Sequence, residues 1–423
     1  MRVWKRQIGA TMLTLVCVLT AHVAIARGAG QPAPVRFPAL DGGGPVLAHI
    51  LVTALTPARD GTIYVGGIDT TPNNAPYANR PLTLLGSVWA VSHDHGATWT
   101  QRVSTTDPHA FPKSGTAPWR DHTTLPIDFT PASITIDPRN PRIIYVAGCT
   151  DSAGRCTYPY DGPMVVRSLD GGQTWQTSLS RATIANTSAL RAAYRYDGAI
   201  PTQGYAVVVD PRNSQRLYAA VSGLGVVSST NGGRVWTYVT QPQSNFTTRP
   251  CELLLDPRNP NTLYELNRGG ALYRTTDGGA HWIVRSPMNS AVGSTSSSLT
   301  FVGRTLYVTA INGLYASTDG GVHWHLAYKL PSPGGFYQSV RGAGGWVSVF
   351  GPQKPGPVAG LYELRDGQSW QPVADADKRG HGGALDFATM DAQLVTRMWE
   401  DHASRIVFTA GPLGGLYRWQ SNL

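Results

Sequence analysis

Short apolar runs alternate with clusters of Gly, Pro, Asp and Asn along most of the chain. The clearest case is a phrase that occurs three times, in which an apolar run, Asp-Pro-Arg-Asn and a second run ending in Tyr occupy residues 136–145, 209–218 and 255–264. Short runs bounded by turn residues indicate strands, and Asp-Pro favours a turn between them. The pattern therefore predicts repeated strand–turn–strand units.

A second phrase, the octapeptide Ser-x-Asp-x-Gly-x-Thr-Trp, recurs throughout the chain. Its acidic or Asn positions are separated by 76, 61, 46, 42 and 47 residues. A period of roughly 40 to 50 residues is typical of propeller blades, and added loops account for the two larger spacings. The copies are Ser92–Trp99, Ser168–Trp175, Ser229–Trp236, Thr275–Trp282, Ser317–Trp324 and a worn copy, Arg365–Trp370.

We interpret each octapeptide as a structural hairpin corner. The Asp carboxylate can accept backbone N–H groups, Gly permits a positive φ, and Trp supplies an apolar plug between neighbouring sheets. His93 and His95 flank an Asp but lie at variable positions of the repeat, so no metal site is predicted. The residues assigned to the corners are Asp94, Trp99, Asp170, Trp175, Asn231, Trp236, Asp277, Trp282, Asp319, Trp324, Asp366 and Trp370.

Together the two phrases predict an all-β fold, a single seven-bladed β-propeller of four-stranded antiparallel blades over residues 27–423. The last unit has no room for a fourth strand, whereas residues 34–40 form an apolar segment without a partner. We expect that N-terminal strand to complete the last blade and remove its open edge. The blades are predicted to start near His49, Ala132, Tyr205, Cys251, Ser296, Gly335 and Gly383.

The first 26 residues have the features of a cleavable secretory signal. A basic start precedes an apolar run over residues 8–26, which ends in the small-x-small sequence of residues 24–26. These features predict a secreted or extracytoplasmic protein, and a retained membrane anchor is the alternative. An oxidising compartment would allow Cys149 and Cys156 to form a loop-closing disulfide, with zinc binding as the weaker interpretation. Cys251 is predicted to be a buried thiol in a strand.

Composition supports a globular protein and excludes an obvious nucleic-acid partner. The 423 residues are 41% apolar and 14% charged, with 47 Gly and 31 Pro. Without Arg2, Lys5 and Arg6 of the leader, 32 basic residues face 26 acidic ones, a balance of +6. This mild charge includes no basic run, so neither nucleic acid nor a membrane surface is implied. No cofactor motif is present, and we expect a monomer.

The long insertions are predicted to lie on one face. Successive turns of an up-and-down blade alternate between its two ends, so residues 70–86, 104–129, 148–162 and 179–204 all lie opposite the octapeptide corners. Loops on a rigid scaffold commonly carry function, although their aromatics also form small satellite cores. The candidate ligand-binding residues on this face of blades 1–3 are Trp119, Arg120, His122, Tyr158, Tyr160, Arg191, Tyr194 and Arg195.

The octapeptide resembles the Asp-box, or bacterial neuraminidase, repeat. The Asp-Pro-Arg-Asn phrase resembles units of sortilin-type propellers, photosystem II assembly factors and xyloglucanases. The resemblance covers essentially the whole mature chain and implies a propeller. It does not select an activity, because these relatives include hydrolases, sorting receptors and assembly factors.

The hydrolase branch of the resemblance implies specific residues. Val35-Arg36-Phe37-Pro38 is similar to the first sialidase motif and places Arg36 in its arginine position, but no Tyr-Glu pair is recognisable. A xyloglucanase-like enzyme needs two carboxylates across a cleft. Asp69 could be one, with Asp386 or Asp401 as the other, although xyloglucanases use two tandem propellers and this chain has one.

The leading functional prediction is an exported module for recognition or assembly, which binds a glycan or an extracellular protein through the insertion-rich face of blades 1–3. The alternative is a glycoside hydrolase of the exo-α-sialidase or xyloglucanase type. A third interpretation, an envelope protein without a small ligand, also remains open.

Overall fold

The computed structural model shows a chain built from β-sheets. It describes residues 47, 50–69, 87–103, 125, 129–150, 163–194, 204–239, 250–267, 271–285, 299–310, 313–329, 339–343, 346–350, 361–365, 371–372, 397–401, 404, 406–410 and 416–420. No helix in these ranges is long and apolar enough to cross a bilayer. The leader, residues 1–26, lies outside them.

In the described ranges the strands form six four-stranded sheets and one three-stranded sheet, numbered here 1 to 7 in chain order. Every pairing is antiparallel between strands consecutive in sequence. Sheet 1 contains β1 (Ile50–Pro57), β2 (Ile63–Asp69), β3 (Ser87–Ser92) and β4 (Thr100–Val103). Sheet 2 contains β5 (Phe129–Ile136), β6 (Ile144–Thr150), β7 (Pro163–Ser168) and β8 (Gln176–Ser180), and two short helices, α1 (Arg181–Asn186) and α2 (Ser188–Ala193), follow it.

The remaining sheets repeat this order. Sheet 3 contains β9 (Gly204–Asp210), β10 (Asn213–Val221), β11 (Gly225–Ser229) and β12 (Thr237–Tyr238). Sheet 4 contains β13 (Pro250–Leu255), β14 (Leu263–Asn267), β15 (Leu272–Thr275) and β16 (Ile283–Val284), and sheet 5 contains β17 (Leu299–Val302), β18 (Thr305–Ala310), β19 (Gly313–Ser317) and β20 (His325–Lys329). Sheet 6 contains β21 (Ser339–Ala343), β22 (Trp346–Phe350), β23 (Leu361–Arg365) and β24 (Gln371–Pro372), and sheet 7 contains β25 (Arg397–Asp401), β26 (Ile406–Ala410) and β27 (Leu416–Gln420).

These sheets confirm the predicted all-β class and the four-stranded antiparallel unit. The first strands of sheets 1 to 6 begin within four residues of the predicted unit starts. The first described strand of sheet 7 begins at Arg397. Gly383 lies outside the described residues, so the predicted start of the seventh unit stays a prediction.

The core lies between sheets rather than within one. One apolar cluster joins sheets 1 and 2 through residues such as Trp89 and Trp175, and another joins sheets 2 and 3 through Tyr145 and Leu217. Similar clusters join sheet 3 to sheet 4 and sheet 4 to sheet 5. Because side chains alternate across a strand, a sheet with an apolar neighbour on each face buries both sets.

The first and last described sheets meet. Leu47 forms an isolated antiparallel bridge with Leu416, whose N–H donates to the Leu47 carbonyl at 2.9 Å. Both residues belong to an apolar cluster that also contains Ile50 and Phe408. Sheet 7 therefore packs against sheet 1. The predicted closing strand, residues 34–40, lies outside the described residues, so that assignment stays a prediction.

Each octapeptide corner is held by a compact network of hydrogen bonds. In the second corner the Ser168 hydroxyl donates to Asp170 Oδ1 at 2.7 Å and accepts the N–H of Gly172 at 2.8 Å. Asp170 Oδ1 also accepts the N–H of Thr174 at 2.8 Å, and Oδ2 accepts the Thr174 hydroxyl at 2.5 Å. Gly171 and Gly172 have φ values of 79° and 87°, in the region that favours glycine.

The other corners repeat this network with small changes. The same Ser or Thr contacts are formed to Asp94, Asn231, Asp277 and Asp319. The side-chain hydrogen bond from Thr98 and then the Thr98 N–H hold the pKa of the Asp94 carboxyl well below its ordinary value. Since a lowered pKa favours the folded state only while the carboxyl is ionised, this stabilisation is lost as the pH falls below about 4. Asp366 and Trp370 lie outside the described residues.

We predict that Asp170→Ala will lower the free energy of unfolding by about 1–3 kcal/mol, because it removes the acceptor of four hydrogen bonds at one corner. Asp170→Asn is the matched control. Asn231 occupies the same position in the third corner and accepts N–H groups from Arg234 and Val235. Denaturant unfolding should show a clearly smaller loss for Asn than for Ala, and equal losses would contradict the corner mechanism.

Candidate functional surfaces

The sheets present two different ends. The turn between the first and second strands lies beside the octapeptide corner, as the hydrogen bond from Gly171 N to the Arg142 carbonyl at 2.8 Å shows for sheet 2. We call this end the box rim. The opposite end carries the connections between second and third strands and between successive sheets, and we call it the insertion rim.

Arginines on the box rim connect successive sheets. Arg139 of sheet 2 donates to the Arg212 carbonyl of sheet 3 at 2.5 Å, and Arg212 donates to the Arg258 carbonyl of sheet 4 at 2.5 Å. Arg258 forms an ion pair with Asp256 at 2.9 Å, and its guanidinium lies 5.3 Å from the ring of Phe301 in sheet 5. The Arg of the Asp-Pro-Arg-Asn phrase therefore has a structural role in these sheets.

The Tyr that ends the same phrase also reaches the next sheet. Tyr145 donates to the Gly232 carbonyl at 3.2 Å, and Tyr264 donates to the Gly320 carbonyl at 3.2 Å. Burial raises the pKa of Tyr145 to about 12, so this phenol stays a donor across the physiological range. Repetition of the phrase thus repeats an inter-sheet contact, which the sequence alone did not reveal.

Asp401 lies on the box rim in a contact between sheets 7 and 1. Its carboxylate is buried, and Oδ2 is 2.8 Å from His95 Nδ1. Ser404 donates its hydroxyl to the same oxygen at 2.5 Å. The Arg418 guanidinium donates to the His95 carbonyl at 3.0 Å. The Asp401 carboxylate is therefore a structural acceptor between the last and first sheets.

His95 corrects one sequence interpretation. We treated it as a variable position, but the equivalent residues of the next four corners are Gly171, Gly232, Gly278 and Gly320, all with positive φ. His95 adopts φ of 55°, which is unfavourable for a residue with a Cβ atom. Its bond to Asp401 explains why a non-glycine residue occupies this position.

The pairing of Asp69 with Asp401 as an acid and a base does not fit the structure. Asp69 pairs with Ile50 at the insertion end of sheet 1, whereas Asp401 is bonded to His95 at the box end. The length of β3, six residues, separates these ends by about 17 Å at roughly 3.3 Å per residue. Glycosidase carboxylates lie about 5–9.5 Å apart. Arg36 and Asp386 lie outside the described residues.

The helical segment after β8 is a described part of the insertion rim. Ser180 caps α1 by accepting the N–H of Thr183 at 3.1 Å. Ile184 and Leu190 are buried in the cluster between sheets 2 and 3, where Tyr194 also packs. Arg191 is exposed in α2. The segment is therefore anchored in the core and presents an exposed polar surface.

The structure describes two of the eight predicted ligand-binding residues. Trp119, Arg120, His122, Tyr158, Tyr160 and Arg195 lie outside the described residues, and only Arg191 and Tyr194 of this group lie inside them. Cys149 is disulfide-bonded. Its predicted partner, Cys156, is outside the described residues, so the pairing stays a prediction. Within the described ranges no group of three or more His, Cys, Asp or Glu residues is arranged to hold a metal.

Glu265 is a buried acid that the sequence did not single out as a site. It lies in β14 between Leu253 and Tyr273 of the adjacent strands, with only 4% of its surface exposed. Burial raises the pKa of Glu265 to about 7, and its Oε2 has no hydrogen-bond partner. Asn267 Nδ2, on the same face of the strand, also has none. A perturbed acid marks a candidate site, but such burial leaves no room for a substrate at the carboxyl group.

We predict that His95→Ala will lower the free energy of unfolding by about 1–3 kcal/mol, because it removes the bond to Asp401 and keeps a Cβ atom in the left-handed region. His95→Gly removes the same bond but relieves backbone strain of about 1 kcal/mol. Urea unfolding should therefore place His95→Gly between the parent protein and His95→Ala. A glycine variant no more stable than the alanine variant would contradict the strain argument.

We predict that Glu265→Gln will gain stability relative to the parent protein as the pH rises. The folded pKa is above the unfolded value, so the parent is favoured at low pH and loses stability through the interval from 4.5 to about 7. The difference in unfolding free energy should change by roughly 3 kcal/mol between about pH 4 and about pH 8. Both proteins contain the same corner carboxylates, so the contribution of these groups to the pH dependence of unfolding cancels in the difference. A pH-independent difference would contradict burial of the acid.

No protein-family model matches the chain, and no curated protein matches it in sequence. Several solved structures share its fold. It is similar to a structure described as YCF48 bound to D1 peptide, with a TM-score of 0.54, 13% identity and coverage of 91% of this chain and 100% of that one. YCF48 from Cyanidioschyzon merolae gives a TM-score of 0.51 at 13% identity over 88% of this chain and 96% of that chain.

A third similar structure is an extracellular domain from a bacterium. It is the extracellular domain of a protein described as a hybrid two-component system of B. thetaiotaomicron, with a TM-score of 0.52, 10% identity and coverage of 87% of this chain and 39% of that chain. At these identities the similarity shows the fold alone. The chain has a β-propeller fold of the kind found in these proteins.

Proposed function

We propose that this protein is an exported recognition module, a closed seven-bladed propeller that binds a ligand through the insertion rim of sheets 1 to 3. The proposal combines the predicted secretory leader with the propeller fold. It assigns binding to the rim where the long connections lie and assigns the octapeptide corners to structure.

Contacts between first strands support the closed ring. β1 contacts β5, β5 contacts β9, and β9 contacts β13. The series continues from β13 to β17, β21 and β25, and β25 returns to β1. The Leu47–Leu416 bridge and the His95–Asp401 bond act at the same junction. A ring of this kind supplies a rigid base for loops, because no sheet is left with an unpacked face.

The anchoring of the α1–α2 segment is the observation that carries the assignment of the rim. Its apolar side chains are part of the core between sheets 2 and 3, while Arg191 remains exposed. Binding residues on such a segment are held by a rigid scaffold, which reduces the entropy lost on binding. On the box rim, by contrast, Arg139 and Arg212 donate to backbone carbonyls of neighbouring sheets.

The ligand is a protein segment or a glycan. The similar propeller described with a bound D1 peptide favours a protein ligand. Aromatic and Arg side chains predicted on the insertion rim suit a glycan as well, through stacking and bidentate hydrogen bonds. Both classes are therefore included in the test.

We predict that a photo-crosslinking amino acid at the exposed position Ala189 will capture a ligand protein from the extracytoplasmic fraction, or that the exported protein will bind defined oligosaccharides on a glycan array. Arg191→Ala and Tyr194→Ala should weaken the measured binding at least about tenfold. The same crosslinker at Arg304, an exposed residue of the box rim, is the control.

Equal capture from positions 189 and 304, or unchanged binding by both variants, would contradict the assignment of the rim. Fluorogenic sialosides and β-glucan oligosaccharides should be tested on the same sample. Turnover of either would instead favour the glycoside hydrolase alternative.

A further inference from the structure

The outer end of the seam between sheets 4 and 5 contains two arginines whose donors are largely unused. Arg274 lies in β15 and Arg285 directly follows β16. The Nε atoms of both are buried and have no hydrogen-bond partner. Within the described part of the chain, the only hydrogen bond of either guanidinium is a long one, 3.4 Å from Arg285 Nη1 to the Val284 carbonyl.

Arginines beside the earlier seams use their Nη donors. Arg167, between sheets 2 and 3, donates from Nη to the Gly232 carbonyl and to Gln176 Oε1, although its Nε has no hydrogen-bond partner. Arg216, between sheets 3 and 4, donates to the Tyr218 hydroxyl at 2.5 Å and lies 3.8 Å from Asp210. The seam between sheets 4 and 5 therefore differs from these seams in its Nη atoms, which within the described residues form only the long bond of Arg285.

The two arginines lie on the same face of sheet 4. Arg274 pairs with Ile283 across the strands, and Arg285 N donates to the Leu272 carbonyl, so alternation directs Arg274, Ile283 and Arg285 to one side. That side faces sheet 5. The guanidinium carbon of Arg274 lies 3.1 Å from the point where a Cβ atom at Gly320 would be, and the Cβ atom of Arg285 lies 3.3 Å from the equivalent point at Gly321.

The charges around this seam favour an anionic ligand. Arg258, Arg274 and Arg285 all act on the Tyr264 phenol, and Asp256 is the acid that acts with them. Asp256 is already paired with Arg258 at 2.9 Å. The nearby corner acids, Asp277 and Asp319, are bonded to their own corners. None of these acids is bonded to Arg274 or Arg285.

Apolar side chains surround the arginines. Ile283 is 45% exposed on the face of the two arginines, and in sheet 5 Val322 and Leu326 are 48% and 43% exposed. Val284, which is 60% exposed, alternates to the opposite face of β16. Leu326 pairs with Tyr315, which packs in the cluster between sheets 4 and 5, so it faces the same seam. Of six large hydrophobic residues exposed in the described ranges, four belong to these two sheets.

Among the described strands β16 is an outer strand of its sheet. It pairs only with β15 among the described strands. The other described outer strands contain polar or charged residues, whereas β16 consists of Ile and Val alone. Natural edge strands usually carry charges or Pro that block pairing with another chain. An unprotected apolar edge is a typical site for addition of an extended peptide.

We propose that the seam between sheets 4 and 5 binds an extended segment of a partner protein, with an acidic side chain held by Arg274 and Arg285 and apolar side chains held by Ile283 and Leu326. The segment pairs with the free edge of β16. Carboxylate is the group that best matches two guanidinium groups with free donors, and apolar neighbours strengthen that contact by excluding water. This site is separate from the insertion rim and does not depend on the ligand there.

The test uses the full exported protein and a short fluorescein-labelled peptide of alternating Val and Glu, measured by fluorescence anisotropy. The matched peptide has Gln in place of Glu. We expect the Glu peptide to bind and the Gln peptide to bind at least about tenfold more weakly, with affinity falling as salt rises. No saturable binding of the Glu peptide, or equal binding of the two peptides, would overturn the proposal.

Variants locate the site. Arg285→Gln and Ile283→Glu should each weaken Glu-peptide binding at least about tenfold, and Ile283→Glu alters an exposed side chain that the fold does not require. Arg304→Ala, an exposed arginine on another turn of sheet 5, should leave binding unchanged. Thermal unfolding of each variant checks the fold. Equal binding of the Glu peptide by Ile283→Glu and by the parent protein would contradict the location of the site.

Competition separates the peptide from simpler ligands. Inorganic sulfate should displace the Glu peptide only partly, because it cannot contact Ile283 and Leu326 or pair with β16. If sulfate displaces the Glu peptide fully at a concentration equal to that of the free peptide, the site binds anions in general. That result would overturn peptide recognition. Sedimentation of the protein alone measures its oligomeric state. An oligomer that does not bind the peptide would identify a second copy of this chain as the occupant of the site and would also overturn the proposal.

Discussion

Contacts between neighbouring sheets are the constraint on which the rest of this structure depends. A sheet of four short strands with two apolar faces is not stable alone, because each face must be covered. The seam between sheets 2 and 3 combines an apolar cluster with hydrogen bonds from Tyr145 to the Gly232 carbonyl and from Trp236 Nε1 to the Ser178 carbonyl. Residues of the repeated phrases form these contacts, so a repeat of the phrase gives a similar contact between the next two sheets.

The contact between the last and first sheets uses different residues. Its two strand segments are separated by most of the chain, so no local repeat can form it. Leu47, His95, Asp401 and Leu416 make this contact, and His95 accepts an unfavourable backbone conformation to do so. Joining the chain ends costs loop-closure entropy, which grows slowly with length and is offset by the cluster around Phe408.

Where polar groups are already satisfied, a surface has little capacity for a ligand. The corner carboxylates and most box-rim arginines are bonded to their own or the next sheet. Two regions differ. The insertion rim carries connections beyond what the sheets require. At the seam between sheets 4 and 5, the Nε atoms of Arg274 and Arg285 have no acceptor and lie beside exposed aliphatic side chains. The ligand recognition that we propose for these two regions rests on the scaffold of sheets joined by the corners.

The sequence by itself determined the strands, their antiparallel order and the corner chemistry, because these depend on alternation and turn residues within about fifty positions. The tertiary structure determined which of the candidate residues from the sequence analysis contact one another. Asp401 and His95 are 306 positions apart, and the opposite ends occupied by Asp69 and Asp401 follow from strand direction. The burial of Glu265 and the unused donors of Arg274 also needed the assembled seams, since solvent access depends on neighbours distant in sequence.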